Sequence, residues 1–245
     1  MIVNIFEGRP RGWYVPATEV LFRFDANAVR RIRGALHSEH DYPARAGTIR
    51  ALDRAAGGTW WRDEEDPSLS NEEYVDWFME QLLNRICERA KCSGWNTEVY
   101  QRQGLQPAYY LIFLTRHRDG MQVFGESLSL AAEKWRRAVF DEAFASATAS
   151  GQSTLMDPDE IFKHEERQLA AQWEERLERN IVGILQHHKS FVVRDLYAEV
   201  FDRALGEART KHLRAALKRL HNSGVTVSDS KGDLFDKRVT RAMNP

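Results

Sequence analysis

Cysteine is scarce in this chain of 245 residues: only Cys87 and Cys92 are present, inside a helical pattern. A disulfide framework or a zinc site needs more ligands at other spacings, so both are excluded and the thiols are read as reduced. Net charge is missing too. Lys and Arg number 35 and Asp and Glu 36, a balance of −1 at pH 7. No global field steers the protein to nucleic acid or to a membrane surface, and any basic surface must be local. No apolar run approaches the roughly 18 residues that span a bilayer. The first residues, MIVNIFEGRPRGW, lack the charged and apolar regions of a secretory signal. These absences point to a cytoplasmic protein with no membrane partner.

Aromatic residues are not scarce. Seven tryptophans and twelve phenylalanines, with 42% hydrophobic residues in all, support a sizeable core. The run 19-EVLFRF-24 is short and apolar, fit for a buried strand. Asp25 and Asn27 offer caps for a helix ending near His37. Residues 38–68 are rich in turn formers around the pair Trp60-Trp61. Ser70 and Glu73 then have the spacing of a capping box, and Val75, Phe78, Leu82, Ile86 and Ala90 recur at helical period. The runs 97-TEVYQRQ-103 and 108-AYYLIFLTRH-117, joined by 104-GLQPA-108, predict an antiparallel hairpin. Met121, Phe124, Leu128, Trp135 and Val139 stripe a further helix. Residues 1–146 therefore read as an α/β region, with one strand flanked by helices and an antiparallel edge pair.

The small, polar stretch 145-ASATASGQST-154 reads as a linker. Asp157 and Pro158 open another helix. From Ile181 the pattern becomes a helix, a brief extended SFV, a helix RDLYAEVF and a third helix EARTKHLRAALKRLHNSG with Gly224 just past its end. VTVSD, the turn 230-SKGD-233 and LFDKRV then predict a hairpin. That order is the order of a winged helix-turn-helix, which gives a linker and helix over 147–180 and a winged helix over 181–245.

On the third helix Lys211, Arg214 and Lys218 share the face opposite Leu213, Leu217 and Leu220. From Arg203 to Arg241 there are ten basic residues and four acidic ones. Arg209, Lys211, Arg214, Lys218, Lys231, Lys237 and Arg238 are therefore candidate nucleic-acid contacts, supplying salt-dependent affinity to phosphates. Base readout would fall to the side chains early in this helix. A basic stripe is also an ordinary solvated helix face, and winged helices serve as protein–protein modules as well.

Catalytic signals are weak. His117, flanked by Arg116, Arg118 and Asp119, lies just past a strand end, where open α/β sheets place ligands; a strand end with Asp119 as N-cap explains it equally. His187-His188 suits a helix C-terminus. The loop 8-GRPRG-12 lacks phosphate-loop spacing, although Arg9 and Arg11, with Arg116 and His117, are candidate partner or phosphate contacts. Asp157 to Glu160 has no following acidic residue and lysine of a nuclease, and no nucleophilic triad is present. No metal, cofactor or catalytic residue is assigned, and nothing proves an enzyme.

The series 19-EVLFRF-24, 52-LDRAAGGTWW-61, 74-YVDWF-78 and 109-YYLIFLTRHRDGMQVF-124 resembles the three-Cys-motif partner proteins, TcmP, over most of residues 15–140. The resemblance implies an incomplete class I methyltransferase-like sheet with a helical insertion, in which EVLFRF is the fifth strand and the hairpin supplies the antiparallel sixth and seventh. It further implies a bacterial or archaeal source, a mobile-element or defence context, and a radical-SAM-like partner carrying three clustered cysteines. The cofactor-binding first half of such a sheet has no counterpart here, so the chain resembles only the family's C-terminal half and no cofactor residue carries over. The expectation is an accessory protein binding DNA, a partner protein or a second copy of itself. The alternatives are a fragment or subunit of an SAM-dependent methyltransferase-like enzyme, or a structural partner without nucleic-acid contact.

Overall fold

A computed structural model describes residues 19–38, 45–100, 105–150 and 157–242, and Arg9 and Arg11 lie outside them. The chain is mixed α and β, mostly helical, with two small antiparallel sheets among the described residues. It divides into two compact units after His117.

In the N-terminal unit, β1 (Glu19–Phe24), β2 (Ser93–Val99) and β3 (Tyr109–Thr115) form one sheet in the order β1-β3-β2. The expected hairpin is present, with Val99 opposite Tyr109. β3 is central rather than at an edge, because β1 pairs along its other side, Phe22 opposite Ile112. Alternation puts Val20, Phe22 and Phe24 on one face with Tyr110, Ile112 and Leu114. That face packs on α1 (Ala26–Leu36), α2 (Arg45–Ala56), α3 (Trp60–Asp63) and α4 (Asn71–Ala90). Asp25 caps α1 by accepting from the Asn27 and Ala28 amides. The Ser70–Glu73 capping box starts α4 as its spacing predicts.

α2 and α3 occupy the segment read from sequence as turns. Leu52, Ala56 and Trp60 recur at helical spacing and are buried, which outweighs the flanking glycines. Trp61, Tyr74 and Phe78 are fully buried, and truncating such an aromatic to alanine costs about 3–5 kcal/mol. Arg33 is buried among them. Its guanidinium pairs with Glu65 at 2.8 Å, donates to the carbonyls of Leu69 and Ser70, and lies over the Tyr74 ring. One cation thus fixes the loop that leads into α4. Cys87 and Cys92 are free and half-buried; burial and the neighbouring Cys92 push the Cys87 thiol up to about 12.

The C-terminal unit begins with α5 (Gly120–Ala149) and α6 (Pro158–His187), each of 30 residues. They run side by side, joined by Phe140 against Phe162, by Arg136 with Glu166 and by Arg137 with Asp159. Then come β4 (Ser190–Val192), a tight turn over Val193–Leu196, α7 (Tyr197–Phe201), a second tight turn over Asp202–Ala204, α8 (Thr210–Asn222) and β5 (Arg238–Thr240).

Three boundaries differ from those read in the sequence. The residues ASATA, read as the start of a linker, are the last turns of α5, because alanine is a strong helix former whatever its polarity pattern suggests. No break separates residues 147–180 from 181–245: Leu177, Ile181 and Leu185 continue one buried stripe along α6 through Gly183. α5 also belongs to the C-terminal unit rather than to a region ending at 146, since Met121, Gly125 and Ser129 are buried there and Gly125 faces Tyr197 and Leu205. The hairpin expected between VTVSD and LFDKRV narrows to a bridge of Thr226 with Arg241, while β5 pairs with β4, Phe191 opposite Val239.

Candidate nucleic-acid interface

α8 is strongly amphipathic. Leu213, Ala216, Leu217 and Leu220 are buried, and Lys211, Arg214 and Lys218 project from the other side, exposed. The helix ends at Asn222 with Ser223 as its C-cap, and Gly224 follows at φ +72, a left-handed backbone that favours glycine. Arg214 does more than carry charge. It donates to the carbonyl oxygens of Ser230 and Gly232 in the loop after Asp229. This joins the helix face to that loop and sets Lys231, also exposed, beside it. Four of the seven cations singled out in the sequence therefore form one contiguous surface.

The other three are differently placed. Lys237 pairs with Asp229 at 2.7 Å and is mostly covered; that contact and the Lys231 amide hold the Asp229 carboxyl below its usual range. Arg238 is exposed on β5 and reaches the Ser190 hydroxyl. Arg209, just ahead of α8, pairs with Glu133 of α5 at 2.6 Å. Its neighbour Thr210 donates both its amide and its hydroxyl to Glu126, also of α5. Sequence reading missed Glu126 and Glu133. They stand seven residues apart, hence on one face of α5, but nothing local says what that face meets.

A second layer steadies this end of α8. The Nδ1 atom of buried His212 accepts from the Arg209 amide at 2.9 Å, and the imidazole packs on Trp173. Burial, with Lys211 and Arg209 nearby, pushes His212 down to about 4, so it stays neutral at pH 7. Arg136 also lies over the Trp173 ring, and pairs with both Glu166 and Glu207. Burial raises the Glu207 carboxyl, against the pull of Arg136.

The remaining candidates make contacts inside their own units. Arg116 donates twice to the Ala90 carbonyl, closing the C-terminus of α4. The His117 amide bonds the Thr115 hydroxyl in the turn after β3. Asp119 occupies the N-cap position of α5 without a side-chain cap; its carboxylate pairs instead with Arg194 at 2.8 Å. Asp157 caps α6, and Glu160 pairs with Lys163. Among the described residues no cluster of three or more His, Cys, Asp or Glu side chains is placed to hold a metal ion. A shallow groove along α6, lined by Glu175, Glu178, Arg179, Val182, Gly183, Gln186 and Leu220, offers no nucleophile. Among the described residues no helix is long and apolar enough to cross a membrane. No family model, curated protein or solved structure matches the chain.

Proposed function

We propose that this protein is an accessory DNA-binding protein, whose C-terminal region acts as a winged helix. The observation that carries the reading is Arg214, which ties the exposed cationic face of α8 to the loop bearing Lys231. Three helical segments, with the strand between the first two paired to the last strand, support the same reading. The surface would neutralise phosphates, and binding would weaken steeply with salt. The test is fluorescence anisotropy of the full chain on a duplex. In K211E/R214E/K218E the slope of log affinity against log salt should flatten by about 2.7, three contacts at about 0.9 each. K211E/K218E, which leaves the Arg214 contacts intact, should flatten it by about 1.8. Unchanged binding in both variants sinks the proposal.

A protein partner is the second reading, as the resemblance to the three-Cys-motif partner proteins implies. It is favoured by β1, which ends the sheet order among the described residues and leaves Leu21 56% exposed. An end strand offers unpaired backbone groups for another chain. The sheet itself supports the methyltransferase-like reading: the pair assigned as sixth and seventh strands is adjacent and antiparallel, and β1 joins it. Co-purification with a three-cysteine radical-SAM-like protein tests this reading, and its loss on Leu21→Lys would locate the contact.

A further inference from the structure

We infer that the cationic face of α8 grips duplex DNA through phosphates alone, without reading base sequence; the inference rests on the DNA-binding reading above. A helix that reads a major groove does so with its early side chains, and those residues must be free. Here they are not. Arg209 is held by Glu133 and Thr210 by Glu126, so two carboxylates of α5 occupy the amide and guanidinium donors at the start of α8. α5 is seated tightly at that entrance. The Ser129 hydroxyl donates to the Glu207 carbonyl at 2.6 Å, and a Cβ on Gly206 would stand 2.4 Å from a Leu128 methyl.

The chemistry of the remaining face points the same way. Specific contact to guanine is made by arginine, with its fork, or by lysine, and to adenine by asparagine or glutamine. Both terminal nitrogens of Arg214 donate to the Ser230 and Gly232 carbonyls, which turns its guanidinium toward the loop and takes two of its five N–H donors. α8 carries no glutamine, and its sole asparagine, Asn222, is its last residue. Lys211, Lys218 and Lys231 are point charges on flexible stems, suited to phosphate rather than to a base edge.

The test uses the full chain in two measurements. Anisotropy titrations on three unrelated duplexes of equal length should agree within about threefold. Each should show a salt slope of about −3.6, from four contacts between about 50 and 200 mM salt. Selection from a randomised duplex pool should return no enriched motif. An enriched motif bound more than about tenfold tighter than the pool overturns the inference while leaving DNA binding standing. Tighter binding of an RNA duplex of the same length overturns the DNA assignment. Absence of binding to every duplex at low salt overturns the DNA-binding reading itself.

Discussion

Replacing Arg33 with methionine removes a cation that is only 5% exposed and keeps most of the side chain's volume. Three consequences follow from its contacts. Glu65, whose side chain is 4% exposed, loses its buried partner and keeps only His37, which is half in solvent. The Leu69 carbonyl loses its guanidinium donor, the Ser70 carbonyl keeps only the Tyr74 amide, and the Tyr74 ring loses the guanidinium above it. Breaking a buried ion pair from one side costs about 3–5 kcal/mol, and the freed carbonyls are part of that figure rather than an addition to it. The assay is urea unfolding followed by tryptophan fluorescence, since Trp60 and Trp61 lie in the same core. With a slope of about 1–3 kcal/mol per molar urea, the midpoint should fall by roughly 1–5 M. Adding Glu65→Leu removes the stranded carboxylate and should recover most of the loss of about 3–5 kcal/mol, since replacing both partners of a buried pair by apolar residues is often near neutral. A loss below about 1 kcal/mol for R33M, or no recovery in the double variant, would show that Glu65 is neutralised or solvated in some other way.

Two further perturbations concern the C-terminal unit. Gly206 and Gly224 both have positive φ, +83 and +72, but only Gly206 faces an obstacle, Leu128. Gly224→Ala should cost about 1–2 kcal/mol from backbone alone, and Gly206→Ala distinctly more; equal thermal shifts would refute the close approach of α5. His212 is held down at about 4 against an ordinary value of 6.5, so between these values the unfolded chain binds the extra proton. Stability is therefore unaffected by this group above about pH 6.5 and falls by up to about 3 kcal/mol as pH drops toward 4. In His212→Gln, which keeps an acceptor for the Arg209 amide, that part of the pH dependence of urea midpoints should vanish; an unchanged pH profile would show that other groups cause it.

Local signals in the sequence were read well where physics is local. The Ser70–Glu73 box, the Asp157-Pro158 helix start and Gly224 all work through neighbours within a few residues, and all three have the geometry their spacing predicts. The hairpin of β2 and β3 was legible because alternation and a short linker leave few pairings. What was not legible depends on distance along the chain. Glu126 meets Thr210 across 84 residues, and Phe191 meets Val239 far along the chain as well. No periodicity encodes such partners. The cationic stripe on α8 was visible, but the sequence could not separate Lys211 and Lys218, which face solvent, from Arg209, which α5 has claimed.

α6 spans about 45 Å at 1.5 Å per residue. Glu174 and Glu178, which anchor it to Arg219 of α8, lie in its later half, whereas Phe162 meets Phe140 near its start. The two ends are thus separated by some 20 Å of rigid rod, more than two screening lengths in physiological salt. Charge added or removed beside Phe162 is largely screened at the Arg219 anchor, whereas Glu166, one turn further on, still acts on α8 through Arg136, Glu207 and its field at His212.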